Sequence, residues 1–147
     1  MEVRIQYADF DLCDEIERMR QWHRDIGALA SFVGIVREQG GVSEMQLEHY
    51  PGMTEAALEA ILVEAMRRWK IRDAVVIHRV GKLSGSDRIM LALVASSHRK
   101  EAFLALEFIV DKLKTEAPLW KKEKTGEGWK WVEAKDTDEA AVSLWLE

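Results

Sequence analysis

Cysteine is almost absent from the sequence, which has Cys13 as the single thiol among its 147 residues. One thiol cannot build a disulfide framework or a cysteine-based zinc site within a chain. Long apolar runs are also missing: no stretch approaches the roughly 20 residues of a membrane-spanning helix, and Met1–Gln6 does not begin a secretory signal. These absences predict a reduced, cytoplasmic protein without a membrane span.

A surplus of positive charge is absent as well, since the formal net charge is −5 and the pI is about 5.5. This balance argues against binding of nucleic acid through the whole surface. The chain has no phosphate-binding P-loop, no dinucleotide fingerprint, no metalloprotease motif and no nucleophile elbow, and its four histidines lack metal-ligand spacing. We therefore expect no metal site, no bound cofactor and no nucleic-acid partner.

Apolar residues are arranged in periodic segments along the whole chain. They make up 48% of the sequence and charged residues 32%, as in ordinary globular proteins, and the length suits one domain over residues 1–147. Apolar alternation or continuous apolar runs predict strands at Glu2–Tyr7, Gly27–Val36, Met45–Tyr50, Ala74–Val80, Arg88–Ser96 and Trp129–Val132. Apolar spacings of three and four residues predict helices over Leu12–Trp22, after Thr54, from Ser97 to Pro118 and from Thr137 onward.

This order of segments predicts an α+β domain with a mainly antiparallel sheet. Gly27–Val36 is expected to be a buried strand that pairs with Met45–Tyr50. Thr54 and Ser97 stand where the N-cap of a helix is expected. Cys13 lies on a predicted surface helix, where a free structural thiol is favoured over a catalytic nucleophile.

A first cationic feature is the string Ser96–Arg99, where a predicted strand leads into a predicted helix. The backbone N–H groups at the start of a helix are unpaired and carry the positive end of its dipole. His98 and Arg99 added there make a good anion site. The alternative is a solvated first turn, which explains these cations less well because they are mildly unfavourable at that end of a helix.

A second cationic feature is the segment Lys112–Lys135, which has seven lysines against four glutamates, with tryptophans between the charges. A lysine held against aromatic surface loses part of its hydration, and its pKa can then fall toward that of a useful acid, base or nucleophile. From the pattern alone, a solvated lysine face above packed tryptophans is favoured. Arg37, at the exit of the strand Gly27–Val36, is equally compatible with a pocket residue and with an ordinary strand-end charge.

Several strings of the sequence occur together in the order and spacing of one known family. They are Gly27–Arg37, Leu47–Glu55, Ile77–Gly81, Ser96–Phe103, Leu113–Glu123 and Trp131–Ala134. The Glu-His-Tyr-Pro-Gly-Met and Lys-Thr-x-Ala-Pro-x-Trp-Lys strings among them are specific. On these residues, from about Gly27 to Lys135, the sequence resembles the MoaE family, the large subunits of molybdopterin synthase.

The resemblance implies a sulfurtransferase of molybdenum cofactor biosynthesis that converts cyclic pyranopterin monophosphate (precursor Z) into molybdopterin. The implied sulfur donor is the C-terminal thiocarboxylate of a small ubiquitin-like, MoaD-like subunit that ends in Gly-Gly, and its tail inserts into a pocket of the large subunit. The implied assembly is a heterotetramer with a homodimer of large subunits at its centre. The implied fold is an α/β hammerhead with an added small antiparallel subdomain.

The resemblance also gives roles to two lysines and a glutamate. By the family pattern, Lys114 and Lys121 are the expected catalytic residues, which contact the thiocarboxylate and the substrate. They are expected to transfer protons or to stabilise negative charge on the acyl oxygen. Glu123 also matches and is expected in the substrate pocket, where it orients a lysine; an ion pair on the surface is the alternative.

Four further cations are expected to bind the substrate together with these lysines. Arg37, His98 and Arg99 match the family's substrate-pocket positions, and the fork of an arginine suits the cyclic phosphate. Lys135 stands where the family often has arginine, which weakens a bidentate phosphate contact there. Because the family pocket lies across the large-subunit dimer, some of these groups are expected to act in the neighbouring chain's site.

Two features of the sequence agree with this role. Cys13 lies outside the matching region, so the sulfur must come from elsewhere, and Leu144–Glu147 lacks the Gly-Gly ending of a thiocarboxylated partner. Two other functions stay open: a scaffold that only holds a ubiquitin-like tail or an anionic metabolite, and a different phosphate-ester enzyme. Retention of both Lys114 and Lys121 argues against the scaffold, and the lack of a metal cluster or phosphate loop argues against the second.

Overall fold

Strands and helices alternate along most of the chain, which is described at residues 1–38, 42–132 and 136–146 in a computed structural model. In chain order the elements are β1 (Glu2–Gln6), α1 (Leu12–Trp22), β2 (Ala28–Ile35), β3 (Glu44–His49), α2 (Met53–Arg68), β4 (Ile71–Arg79), β5 (Gly81–Ser84), β6 (Arg88–Ser96), α3 (Arg99–Glu116), β7 (Leu119–Thr125), β8 (Gly128–Val132) and α4 (Asp136–Ser143). No helix of these described ranges is long and apolar enough to cross a membrane.

The strands form two sheets of four strands each. The first sheet has the order β1-β4-β6-β2, and the second has the order β5-β3-β7-β8. The β1–β4 pair is parallel, and the other pairs are antiparallel. The predicted α+β class with a mainly antiparallel sheet is therefore confirmed, and the smaller second sheet corresponds to the expected added subdomain.

Helices cover both faces of the first sheet, so its central strands β4 and β6 are apolar nearly throughout. One face packs Ala74, Val76, Met90, Ala92 and Val94 against Leu58, Leu62, Phe108 and Ile109 of α2 and α3. The other face packs Val75, Ile77, Leu91 and Leu93 against Phe10 and against Met19 of α1. Close packing of this kind resists distortion, and β4, β6 and α3 therefore form the frame that carries the candidate site.

The pairing predicted for Gly27–Val36 is wrong. The corresponding strand β2 lies at the edge of the first sheet, pairs with β6 and is mostly half-buried rather than buried. The segment predicted as Met45–Tyr50 forms β3, which pairs with β5 and β7 in the second sheet. An alternating pattern identifies the two faces of a strand but carries no information about its partner.

The two predicted N-caps are also wrong. Gly52 occupies the cap position of α2, and its N–H donates to Glu55 Oε2 at 2.8 Å. Thr54 lies inside the first turn of that helix, where it is fully buried. His98 occupies the cap position of α3, while the hydroxyl of Ser97 donates to the carbonyl oxygen of Asp25 at 3.3 Å. Helix α2 thus begins before Thr54, whose hydroxyl donates to the Pro118 carbonyl oxygen, and α3 begins after Ser97, so neither side chain caps its helix.

The inner face of the second sheet contacts the end of β2 through a small apolar cluster. Its buried members are Val36, Met45, Leu47 and Leu83, and Ile89 of β6 packs against them. Val36 follows β2 directly, and its N–H donates to the carbonyl oxygen of Asp87 at 2.8 Å. This cluster fixes β3 and β7 beside the end of the first sheet at which β2 stops and β6 starts.

Candidate active site

Helix α3 separates the expected site residues into two groups. His98 and Arg99 stand at its start, and Lys114 lies in its last turn. Lys114 follows Arg99 by fifteen positions, which correspond to about 23 Å at 1.5 Å per residue. Within one chain these cations therefore stand at opposite ends of the helix and do not share a pocket.

Arg37 stands at the same end of the fold as Lys114. Strand β2 runs antiparallel to β6, so that Ala28 pairs with Ser96 beside the start of α3 and Ile35 pairs with Arg88 at the far end. Arg37 follows two residues after Ile35 and is exposed. The strand thus carries this guanidinium away from His98 and toward the end of α3.

Strand β7 brings Lys121 and Glu123 to the same region. They lie opposite Leu47 and Met45 of β3, so they share the inner face of the second sheet with the buried cluster that contains Val36. The Lys121 Nζ atom is 3.4 Å from Glu123 Oε1, and the two side chains are 32% and 26% exposed. A half-buried ion pair of this kind holds the ammonium in place and leaves it accessible to a ligand.

The neighbouring Lys122 points to the opposite face of the same strand. Its Nζ lies 3.6 Å from Glu48 Oε1 and 4.2 Å from the centroid of the Trp131 ring. The predicted solvated lysine face is therefore present on the outer face, but the tryptophans predicted to pack beneath it are exposed there instead: Trp120, Trp129 and Trp131. Lys121 and Lys122 are neighbours in the sequence, but their side chains lie on opposite faces of the second sheet because successive residues of a strand alternate between its two faces.

A buried histidine that the sequence reasoning passed over lies at this end of the first sheet. His78 is 5% exposed, pairs with Met90 of β6, and its Nδ1 lies 2.8 Å from the carbonyl oxygen of Arg79. Its pKa is lowered to about 4, mainly by burial and to a smaller extent by the charge of Lys114, against the opposing effect of the Arg79 bond. The imidazole is thus neutral near pH 7, and Nδ1 carries the proton that the carbonyl accepts.

The burial of His78 predicts an acid-sensitive fold. The folded pKa of about 4 lies below the ordinary value of 6.5, so between these values the unfolded chain binds a proton that the folded chain excludes. The free energy of unfolding should therefore fall by about 3 kcal/mol as the pH drops from 6.5 to 4. Urea titrations at pH 7 and pH 4.5 measure the free energy of unfolding at each pH. In His78→Asn, whose amide can still donate to Arg79, the part of the pH dependence that comes from His78 should be lost. If the free energy of unfolding fell by the same amount between pH 7 and pH 4.5 in both proteins, the contribution of His78 would be ruled out.

The other end of α3 is open and cationic. His98 and Arg99 are exposed, and the side chain of the cap residue His98 makes no capping hydrogen bond. Gly27 passes so close to the Ser97 carbonyl that a Cβ atom there would collide with it, and the Gly27 N–H donates to Ser96 O at 2.9 Å. A groove lined by Arg20, His23, Arg24 and Ile26–Leu29 adjoins this contact. The two arginines of this groove add to the positive charge and were not singled out from the sequence.

Three other predictions concern residues away from these two groups. Cys13 is a free, exposed thiol on α1, as expected. Within the described ranges, no cluster of three or more histidine, cysteine, aspartate or glutamate side chains could hold a metal ion. Lys135 lies outside the described residues, so its part in substrate binding stays a prediction.

Comparison with known proteins places these two groups in a family context. The family model described as MoaE protein matches residues 5–116. A molybdopterin synthase catalytic subunit from Ralstonia nicotianae is 58% identical over 146 residues, which cover 97% of this chain and 83% of that protein. A protein of the same name from Pseudomonas aeruginosa is 45% identical over 150 residues and is covered completely, as is this chain.

Solved structures give the same result. The molybdopterin biosynthesis MoaE protein from Burkholderia ambifaria MC40-6 is 52% identical, with a TM-score of 0.87 and coverage of 98% of this chain and 97% of that chain. Molybdopterin synthase from Staphylococcus aureus is 32% identical, with a TM-score of 0.80 and coverage of 88% and 96%. Sequence and fold agree over nearly the whole chain, and the chain therefore belongs to the MoaE family.

Proposed function

We propose that this chain is the catalytic subunit of molybdopterin synthase, a sulfurtransferase of molybdenum cofactor biosynthesis. It transfers sulfur from the C-terminal thiocarboxylate of a small ubiquitin-like subunit to precursor Z, and two transfers form the dithiolene of molybdopterin. The observation that carries the proposal is that the chain belongs to the MoaE family, and it is supported by the half-buried Lys121–Glu123 ion pair on β7, the strand that follows the last turn of α3 with Lys114. The single exposed Cys13 is compatible with a cytoplasmic protein that takes its sulfur from a partner.

The two lysines act on the acyl group of the partner's tail. Water attacks the acyl carbon of the thioester that joins the tail to the substrate, and an ammonium beside the acyl oxygen stabilises the negative charge that develops there. The carbon–sulfur bond then breaks, which leaves the sulfur on the substrate and a carboxylate on the tail. The second lysine holds the anionic substrate or moves a proton. Glu123 keeps the Lys121 ammonium in place through its 3.4 Å ion pair. Arg37 supplies a fork of N–H donors for the phosphate or the pterin.

His98 and Arg99 serve the second site of a dimer. A side chain spans only a fraction of the length of α3, so these cations reach the same substrate as Lys114 only if they come from a neighbouring copy. A homodimer at the centre of a heterotetramer with two small subunits satisfies this condition, because a two-fold axis forms both shared sites at once. His98, Arg99 and the uncapped start of α3 then bind the cyclic phosphate of precursor Z.

Reconstitution tests the proposal directly. The purified chain, precursor Z and a thiocarboxylated small subunit are mixed, and molybdopterin is detected as its oxidised fluorescent derivative. We expect product in this mixture and none with a small subunit that ends in an ordinary carboxylate. If an active small subunit yields no product, the chain is a scaffold; consumption of precursor Z without the partner would instead indicate a phosphate-ester enzyme.

A further inference from the structure

The two lysines are joined by a short link, Ala117–Leu119, between α3 and β7. Lys114 lies four residues before Pro118 in this link, and Lys121 lies three residues after it. The Leu119 N–H donates to the Ala117 carbonyl at 2.8 Å, which gives the link a tight bend. Because Pro118 has no N–H, its carbonyl is the one backbone hydrogen-bonding group through which the centre of the link can be held.

A buried hydroxyl holds that carbonyl. Thr54 Oγ1 donates to the Pro118 carbonyl oxygen at 2.8 Å, and the Thr54 side chain is fully buried. The Thr54 Oγ1 atom also accepts a hydrogen bond from the Tyr50 N–H at 2.9 Å, and the Thr54 N–H donates to the Tyr50 carbonyl oxygen at 2.9 Å. A threonine has one O–H donor, and here that donor points at the link.

The hydrogen bond between Thr54 and Pro118 lies at the end of the β3–β7 ladder, which positions Lys121. Strand β3 pairs with β7 from Glu44–Lys124 to His49–Leu119, and Tyr50 follows His49 directly. The Tyr50 ring also lies 5.8 Å from the Trp120 ring. The turn from Tyr50 to Thr54 therefore directly follows the last residue pair of the β3–β7 ladder, and it contacts the link through the hydrogen bond from Thr54 to Pro118.

The specific string Glu-His-Tyr-Pro-Gly-Met, which precedes Thr54 in the sequence, thus has a structural task that the proposed function does not explain. We propose that Thr54 is a positioning residue for sulfur transfer: its hydroxyl holds the Pro118 carbonyl and so sets the place of Lys114 relative to Lys121. The proposal rests on the proposed function, because it assumes that the two lysines work on one reacting group. Displacement of a reacting group by about 1 Å costs up to about 100-fold in rate.

The test compares Thr54→Val with Thr54→Ser in the full-length chain. Valine keeps the shape of threonine and removes the hydroxyl, whereas serine keeps the hydroxyl and removes the methyl group. We expect Thr54→Val to lower kcat by about 10- to 100-fold with little change in affinity for the thiocarboxylated subunit. Thr54→Ser should stay within about threefold of the unchanged chain, because the donor to Pro118 is retained.

Ile61→Val is the matched control, because it removes one methyl group from the buried face of the same helix. It should leave kcat unchanged at a temperature where circular dichroism finds all variants folded. If Thr54→Val does not fold, Thr54→Ala, which leaves room for a water molecule, takes its place. Unchanged kcat in Thr54→Val, or a serine variant as slow as the valine variant, would overturn the proposal.

Lys114→Ala and Lys121→Ala, run beside these variants, separate the two hypotheses. Loss of activity in both lysine variants together with full activity in Thr54→Val overturns the positioning role alone. Full activity in both lysine variants overturns the assignment of the lysines and, with it, the role of Thr54. Loss of activity in the lysine variants and in Thr54→Val, with rescue in Thr54→Ser, supports both.

Discussion

Replacement of Lys114 or Lys121 by alanine should lower the rate of molybdopterin formation by about 100- to 10,000-fold, the range for removal of a positioned proton-transfer group. The loss should fall on kcat rather than on binding of the small subunit, because an ammonium that stabilises a developing oxyanion acts mainly in the transition state. Single-turnover assays with saturating thiocarboxylated subunit measure the rate. Isothermal titration with the same subunit measures its binding.

The chain offers two matched controls for these lysines. Lys122→Ala removes the neighbouring ammonium, which lies on the outer face of β7 beside Glu48 and Trp131. Lys112→Ala removes a lysine of α3 whose Nζ pairs with Glu116 at 2.8 Å. Both should keep nearly full activity. An equal loss in Lys121→Ala and Lys122→Ala would mean that the net charge of β7 matters and not the ammonium on its inner face.

Two inactive variants should restore activity when they are mixed. Arg99→Ala removes a cation at the start of α3, and Lys114→Ala removes one at its end, so each homodimer has two damaged sites if the sites are shared. In a mixed dimer one shared site contains both alanine substitutions, and the other contains the unchanged Arg99 and the unchanged Lys114. Random exchange of subunits makes half of the dimers mixed, and activity should recover to about a quarter of that of the unchanged chain.

The recovery distinguishes a shared site from a site within one chain. If each chain formed its own site, every site in the mixture would lack one cation and no activity would return. Lys114→Ala mixed with Lys121→Ala is the control, because both residues belong to the same end of one chain. In that mixture each site lacks a lysine, and we expect no recovery. Subunit exchange itself is verified by native mass spectrometry of the mixed proteins.

Periodicity located most of the elements that have an apolar face and missed two strands, β5 and β7. Helix α1 was predicted with its observed bounds, Leu12–Trp22, because its apolar side chains repeat at helical spacing. No strand was predicted over β7, Leu119–Thr125. Its outer face carries Trp120 and Lys122 and its inner face carries Lys121 and Glu123, so neither face shows an apolar alternation.

The family pattern supplied the expected site residues, and the structure supplied the positions of those that it describes. The separation of Arg99 from Lys114 follows from the length of one helix and was already implicit in the sequence. The contact of Thr54 with Pro118 joins residues 64 positions apart, and the burial of His78 depends on the layers above and below β4. Contacts of that kind depend on tertiary packing, about which local pattern gives no information.

The order of strands along the chain also determines when a working enzyme can form during synthesis. From β2 to β7 successive strands alternate between the two sheets, and the pairing of Glu44 with Lys124 closes a loop of 80 residues. Such distant pairings make folding slow, because the entropy of loop closure must be lost before the contacts form. While the ribosome is still making α3, the partner edge of β3 has no β7 to bind and stays open to wrong association. The strand that carries Lys121 is thus also the one that covers this edge of β3.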